Sequence, residues 1–259
     1  TAKMGITFWL ALPLCGLIAG FIGLIIGLPS LRVKGFYLAL VTLAVQFIVT
    51  YGAFHLPFLG GYAGMAVPPP KLGSLVFDTD QTFFYLMLFC AFLATFFAKN
   101  LARTKAGRAW IAIRDNDLAA ELMGINIFYY KLLAFFISSF FAGIAGSLWA
   151  HYFCFMHPES LGLMDSIWFL GMIIVGGIGT TMGAIFGTVF LRLLDELTHM
   201  WIAPALASVF PSVRVEVFGN VSLILFAVVL IAVMIYEPRG LNHRWEMFKS
   251  SYRLWPFSY

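Results

Sequence analysis

Residues 6–28 read ITFWLALPLCGLIAGFIGLIIGL, a long stretch without a single charged side chain. An α-helix needs about 20 consecutive apolar residues to cross the hydrocarbon core of a bilayer, so this stretch predicts a membrane-spanning helix. The whole chain is 61% hydrophobic and only 11% charged. This leaves too little polar surface to cover a water-soluble domain of 259 residues. The sequence therefore predicts an all-α polytopic membrane protein, a helical bundle.

Further apolar stretches predict the remaining spans. They lie at about 35–56, 82–98, 132–153, 166–194 and 215–236. The stretch 166–194 is too long and too rich in glycine to be one straight helix, because glycine tolerates backbone conformations that break helices. We expect it to form two arms, 166–177 and 182–198. Together these spans predict one transmembrane domain over residues 1–241.

The break in the fifth apolar stretch is predicted from GGIGTTMGAIFG, residues 176–187. We expect a Gly-broken hairpin here, with the break near Gly176, Gly177 and Gly179. Irregular backbone at membrane depth is tolerated where protein buries it or where it lines a cavity. The three glycines therefore predict either a translocation pathway or close packing between small residues.

The basic residues predict the orientation of the chain. They concentrate in the first loop, in the loop 99–131, and in the tail 242–259 with Arg239 just before it. The members are Arg32, Lys34, Lys99, Arg103, Lys105, Arg108, Arg114, Lys131, Arg239, Arg244, Lys249 and Arg253. By the positive-inside rule all three segments are cytoplasmic. The loops 57–81 and 154–165, and the segment 201–212, then lie outside, which requires the chain to turn back in the glycine-rich hairpin.

A short acidic helix is predicted in the cytoplasmic loop, where residues 115–124 read DNDLAAELMG. Asp115 or Asn116 can cap its start, and Gly124 can take the left-handed position after its end. A helix of about two turns is marginal in water, so we expect its own membrane helices or a partner protein to hold it. Helices that lie on lipid headgroups usually carry basic residues, whereas this one carries Asp117 and Glu121, which favours a protein partner.

Polar side chains on the second apolar stretch mark a candidate pathway. Thr42 and Gln46 share one helical face, and Tyr37 lies about a turn away. A polar face is costly in lipid, so we expect it to look toward protein or a wet cavity. A pathway role and a hydrogen bond between helices remain alternatives for Gln46.

Four ordered motifs resemble a known family. The segment GRAWIAIRDNDLAAELMGINIFYYKLLAFFISSFFAGIAGSLWAHY (107–152) is similar to the cytoplasmic loop and following helix of permeases from ABC importers of the branched-chain amino acid transport family. LRVKGFYLALVTLAVQFIV (31–49), MIIVGGIGTTMGAIFGTVFL (172–191) and YEPRGL (236–241) agree in order and spacing. The resemblance extends to about Leu241. It also implies additional spans before the position of Thr1, so we expect this chain to lack the N-terminal part of such a permease.

The resemblance implies a permease subunit in a bacterial-type cytoplasmic (inner) membrane, with the short helix as the coupling helix. Matched by motif, ATPase coupling falls on Asp117, Ala120, Glu121 and Gly124. The implied partners are a second homologous permease, a heterodimer being favoured over a homodimer, two ATPase subunits, an extracytoplasmic solute-binding protein and membrane lipid. The charge-free spans favour branched-chain or other hydrophobic amino acids, while urea, short amides and aromatic or other carboxylic acids remain open.

Three other classes of function are less well supported. An ion-coupled secondary transporter needs ionisable groups near the midplane, and 35–70 and 132–150 contain no Asp, Glu or Arg. His151, Cys154 and His157 recur every three residues, but His151 lies near a span end and Pro158 breaks the helix directly after His157, so we expect neither an enzyme nor a metal centre. The basic residues lie at span ends, which argues against nucleic acid. No G-x-x-x-x-G-K-[ST] motif occurs, so we expect no cofactor in this chain and assign ATP and Mg²⁺ to partner ATPases.

Overall fold

Helices occupy the apolar stretches in the computed structural model of the chain, which describes residues 5, 7–31, 33, 35–57, 60–72, 75–77, 79–202, 204 and 221–254. The chain divides into two units, Thr1–Gly162 and Leu163–Tyr259. The first unit contains α1 (Phe8–Ser30), α2 (Phe36–His55), α3 (Asp80–Arg103), α4 (Lys105–Asp115), α5 (Asp117–Leu122) and α6 (Ile127–Phe153). The second contains α7 (Leu163–Gly176), α8 (Thr181–Leu197), α9 (Val221–Tyr236) and α10 (Leu241–Leu254).

A stripe of glycines joins α1 to α6 in the first unit. Gly16, Gly20, Gly23 and Gly27 recur every three or four residues on α1 and are all buried. Phe140 of α6 lies over Gly16 and Phe136 lies over Gly20, so the two helices run antiparallel. Small residues let helix backbones approach closely. In a bilayer the lipid tails are as apolar as the side chains, so close packing of this kind is a main source of helix association.

Short antiparallel strand pairs lie in the loops of the first unit. The strands β1 (Met65–Ala66) and β4 (Phe155–Met156) pair antiparallel, as do β2 (Lys71–Leu72) and β3 (Leu75–Val76). The ring of His157 also bonds the carbonyl oxygen of Tyr62 at 3.0 Å. The β1–β4 pair and the His157 hydrogen bond connect the loop after α2 to the loop after α6. Each ladder is only two residues long, so the all-α classification is unaffected.

The second unit is built on an antiparallel helix pair, α7 and α8, joined by residues 177–180. A Cβ at Gly176 would overlap the carbonyl oxygen of Gly183, and one at Gly187 would overlap that of Met172. The two backbones are therefore in direct contact along the hairpin. Beside this crossing lies the apolar core of the unit, which consists of Met172, Val175, Leu191 and Phe226.

A second helix break packs against the turn of the hairpin. Helices α9 and α10 meet at 47° across residues 237–240. Gly177 and Gly240 both have positive φ, +118° and +78°, and a Cβ at Gly240 would overlap the backbone of Gly177. The carbonyl oxygen of Arg239 also lies close to Gly177, 2.9 Å from the position that a Cβ of this residue would take. The two turns thus form one junction, in which two broken helices touch through glycine backbone.

A polar cluster links the end of α8 to the start of α9. The hydroxyl of Ser222 donates a hydrogen bond to the Asp195 carboxylate. Arg192 and His199 lie 3.8 and 3.6 Å from the same carboxylate. Ser222 is buried, so this bond connects two helices where water has little access. The helix continues from this cluster into a π-helical turn, Thr198–Ile202.

Several helices are long and apolar enough to cross a membrane. Within the described ranges they are α1, α2, α3 and α6, and a fifth candidate is α7 taken together with the 3₁₀ turn Pro158–Leu161 that precedes it. The bent pair α9 and α10 is a sixth if it forms one span. These helices confirm an all-α polytopic membrane protein. The arm α8 has 17 residues, which reach about 26 Å against a hydrocarbon core of about 30 Å. How many complete crossings the hairpin makes therefore stays a prediction.

Some sequence predictions fall outside the described residues. They concern Arg32, Lys34, most of the segment 201–212, the start of the span at 215–236 and the last residues of the tail.

Candidate functional site

The acidic segment is positioned by a sharp corner between α3 and α4. Thr104 separates the two helices and caps α4, its hydroxyl accepting from the backbone N–H of Gly107 at 3.5 Å. A Cβ at Gly107 would overlap the backbone of Ala102, so only glycine lets the chain turn this tightly. The corner directs α4 away from the axis of the long helix α3.

Helix α4 is fastened to the start of α6. The indole N–H of Trp110 donates a hydrogen bond to the carbonyl oxygen of Tyr130 at 2.8 Å. Ala109 is buried in the same helix. The Asn126 side chain caps α6 by accepting from the N–H of Tyr129 at 3.0 Å. The segment between α4 and α6, which contains α5, is therefore held at both ends by ordered hydrogen bonds.

Helix α5 has a defined start and a defined end. Asn116 caps its start, because its side-chain oxygen accepts from the N–H of Ala119 at 3.0 Å. Asp115, the alternative cap, instead pairs with Arg114 at 2.9 Å. At the other end the N–H of Gly124 bonds the carbonyl of Glu121, and the N–H of Ile125 bonds that of Ala120. Gly124 has a φ of +82°, and the whole arrangement is a Schellman motif.

The orientation of α5 exposes its large apolar side chains. Ala120 is 3% exposed and faces the protein, whereas Leu118 is 69% and Leu122 is 89% exposed. At 100° per residue, Leu118 and Leu122 lie opposite Ala120 on the helix. Met123, directly after the helix, is 83% exposed. We call Leu118, Glu121, Leu122 and Met123 the outer face of α5.

The four predicted coupling residues have different positions on this helix. Glu121 is exposed on the outer face, and Asp117 is partly buried in the first turn. Ala120 is the residue through which α5 packs on its own chain, and Gly124 forms the C-terminal turn. A partner docked on α5 would thus contact Glu121 directly, while Ala120 and Gly124 would act by setting the helix's position.

The predicted pathway residues lie in two separate units. Tyr37 and Thr42 are exposed on α2 and Gln46 is half-buried. The Thr42 hydroxyl donates to the carbonyl of Ala39 at 2.8 Å, within its own helix. All residues described for α2 keep at least part of their surface accessible. The helix therefore keeps much of both its polar and its apolar surface accessible within the described part of its unit.

The glycines of the hairpin serve as packing surfaces. Gly176 is buried against Gly183 and Gly187, and Gly177 is buried against the turn 237–240. Gly179 is exposed and has a φ of +85°. The described contacts thus account for Gly176 and Gly177 by close backbone approach. A pathway role for the three glycines stays a prediction.

Comparison with known proteins identifies the family. Residues 1–235 match the family described as the permease component of branched-chain amino acid transport systems. The chain belongs to that permease family.

Individual relatives in this family are named as transport permeases. The chain is 32% and 31% identical to the high-affinity branched-chain amino acid transport system permease proteins LivM of Salmonella typhimurium and Escherichia coli, over 92% of its own length and 58% of theirs. It is 28% identical to a probable LivM of Methanocaldococcus jannaschii, over 90% of this chain and 67% of that protein. The chain thus spans less than two thirds of the two bacterial relatives. No solved structure matches it.

The family assignment confirms two of the sequence predictions. The chain is a permease component and not an enzyme, since its relatives are named as transport-system permeases. It is also a multi-pass membrane protein, as the family and the long apolar helices indicate.

Sequence reasoning missed two features of the site. The sequence marks Leu118, Leu122 and Met123 as apolar but does not say that they are exposed, although hydrophobic residues at i, i+4 spacing in a polar loop are a signal for docking. Gly240 stands out in the sequence only as part of YEPRGL. Its packing against Gly177 joins residues far apart in sequence, and no local pattern reports such a contact.

Proposed function

We propose that the complete protein is the membrane-spanning permease subunit of an ATP-driven ABC importer. One observation supports this most directly: a family permease presents a short, doubly capped helix whose outer face exposes Leu118, Leu122 and Glu121. Exposed apolar residues grouped in this way are typical of a protein interface. The sequence contains no G-x-x-x-x-G-K-[ST] motif, and we therefore assign ATP binding to partner subunits.

Helix α5 is the coupling helix in this proposal. ATP-driven closure of two ATPase subunits would move α5, and α4 would transmit that movement to α3 and α6. The corner at Gly107 and the Trp110–Tyr130 hydrogen bond make this connection short and stiff. A rigid-body switch between two states then reorients the spans. The partner ATPases, not this chain, would bind ATP and Mg²⁺.

The remaining partners follow from the exposed surfaces and the family. Helix α2 has no fully buried residue among those described, which leaves room for a second homologous permease, for the rest of this protein or for lipid. We propose a heterodimeric permease, served by an extracytoplasmic solute-binding protein. The membrane is proposed to be a bacterial-type cytoplasmic membrane, with α5 on the cytoplasmic side because the loop 99–131 is rich in Lys and Arg.

The proposed substrates are branched-chain or other hydrophobic amino acids. Relatives in two bacteria are named for branched-chain amino acids, and the spans are largely free of charge. Radiolabelled leucine, isoleucine and valine uptake should be measured in vesicles that contain the full-length protein with its co-purified partners. We expect ATP-dependent uptake that unlabelled leucine suppresses. Uptake of urea, a short amide or an aromatic acid in place of leucine would change the substrate assignment. Uptake without ATP would contradict the proposal that the protein belongs to an ATP-driven importer.

A substitution at Gln46 tests the proposed pathway on α2. Gln46→Leu should lower leucine uptake several-fold while the assembled complex keeps its thermal stability and its ATPase activity. The reason is that a translocating amino acid needs weak hydrogen-bond partners along its way, and Gln46 is a half-buried polar side chain on this helix. Thr42→Val serves as the companion variant on the same face. A loss of thermal stability with normal uptake per folded complex would assign Gln46 to helix packing instead.

A further inference from the structure

Helix α10 has one aromatic stripe along its length. Leu241, Trp245, Phe248 and Tyr252 recur at i, i+4, i+7 and i+11, which places them within a narrow sector of the helix. Leu241 packs against the core of the second unit. The exposed fraction then rises along the stripe, from 54% at Trp245 to 76% at Tyr252. Within the described part of the chain, protein covers only the first turn of this apolar stripe.

An open groove of about 640 Å³ lies between this stripe and α8. Its walls include Val189, Phe190 and Leu193 from α8, and Trp245 and Phe248 from α10. The ring of Trp245 contacts Phe186 edge-on, with centroids 5.9 Å apart, and stacks on Phe248 at 6.1 Å. The floor and sides are therefore formed by aromatic and branched aliphatic side chains.

Basic residues flank the groove on both sides of the stripe. Arg244 and Lys249 lie about 70° to either side of it by helical geometry. Among the described residues that line the groove, Arg244 is the one charged side chain, and its guanidinium also pairs with Glu237 at the preceding turn. The more polar side of α10, with His243, Glu246 and Ser250, points away from the stripe. An apolar stripe with basic flanks is the pattern of a helix at the membrane interface.

We propose that this groove holds an acyl chain of an anionic phospholipid, whose phosphate lies between Arg244 and Lys249. An acyl chain needs apolar walls and no hydrogen bonds, which matches the lining. A protein partner would need hydrogen-bond groups to fix its position, at about one per 100–200 Å² of interface, and the described lining offers only the guanidinium of Arg244 and the indole N–H of Trp245. The positive flanks are complementary to the negative headgroups of the cytoplasmic leaflet.

The proposed lipid is a structural or regulatory lipid at the junction of α8 with α10, separate from the substrate and from ATP coupling. Because α10 follows the turn that packs on Gly177, a lipid in the groove would hold this helix and the two stacked turns in one position.

Trp245 is a built-in reporter for the lipid. The full-length protein is placed in nanodiscs that contain phosphatidylglycerol or phosphatidylcholine with brominated acyl chains, and the Trp245 signal is isolated by subtracting the Trp245→Phe variant. We expect brominated phosphatidylglycerol to quench Trp245 about twofold more than brominated phosphatidylcholine, because the basic flanks enrich anionic lipid. Lys249→Gln should reduce that preference, and Lys99→Gln, a matched exposed lysine on another helix, should preserve it.

Either of two results would overturn the proposal. Equal quenching by both lipids would show ordinary contact with the bilayer and no anionic site. No quenching by either lipid would show that protein covers the groove. Lys249 is exposed, and its replacement leaves the Arg244–Glu237 pair intact. We therefore expect the Lys249→Gln variant to fold normally.

Discussion

Gly240→Ala is expected to destabilise the protein by about 3 kcal/mol and to lower its thermal midpoint by several degrees. Two effects add at this position. A φ of +78° is strained for any residue with a Cβ, at roughly 1–2 kcal/mol. The new methyl group would also overlap the backbone of Gly177, and backbone cannot move aside as the end of a side chain can. Overpacking of this kind costs about 1–3 kcal/mol.

Two other glycines separate these effects. Gly124 has a φ of +82° with open space around its Cβ position, so Gly124→Ala measures the strain alone. Gly146 lies inside α6 with open space and an ordinary φ, so Gly146→Ala should be neutral or slightly stabilising. Thermal unfolding of the three variants in one detergent or lipid gives the comparison. If Gly240→Ala costs no more than Gly124→Ala, the two turns do not touch.

The hairpin shows what a sequence can reveal about such a fold. Its two arms and the glycine break were predictable, because several glycines close together inside a long apolar stretch favour a break in the helix. The structure confines the break to residues 177–180 and gives positive φ to Gly177 and Gly179. The contact with Gly240 was not predictable, since it joins two turns that lie far apart in the sequence.

For the short helix α5, too, some features were predictable from the sequence and others were not. Its ends were predictable, because Asn116 and Gly124 are strong capping residues. The direction in which it faces was not, because small and large apolar residues surround the helix on several sides. Ala120 is the buried contact, and the large residues Leu118 and Leu122 point outward. The buried residue of α5 is thus a small one, and hydrophobicity alone does not predict which side of the helix packs.

Leu118→Ser with Leu122→Ser is expected to abolish coupling between the permease and its ATPase. Both side chains are largely exposed in this chain, so the double variant should fold with nearly unchanged stability. If a partner buries them, each contributes about 1.5–3 kcal/mol to docking. The loss of both then weakens the complex by roughly 100-fold or more. The measurement is co-purification of the ATPase, together with ATP hydrolysis stimulated by the binding protein.

Ala119→Ser is a conservative control on the same helix, because Ala119 is exposed and its methyl group offers a partner much less apolar surface than a leucine side chain. It should assemble and transport normally. Charge reversal of Asp117 and Glu121 tests the ionic part of the same contact and should also impair coupling while the permease remains inserted. Exposed ion pairs contribute only about 0–1 kcal/mol each, so we expect this loss to be smaller than that of the leucine pair. Normal uptake by both double variants would remove α5 from the coupling path, because neither its apolar nor its acidic residues would then be in contact with a motor.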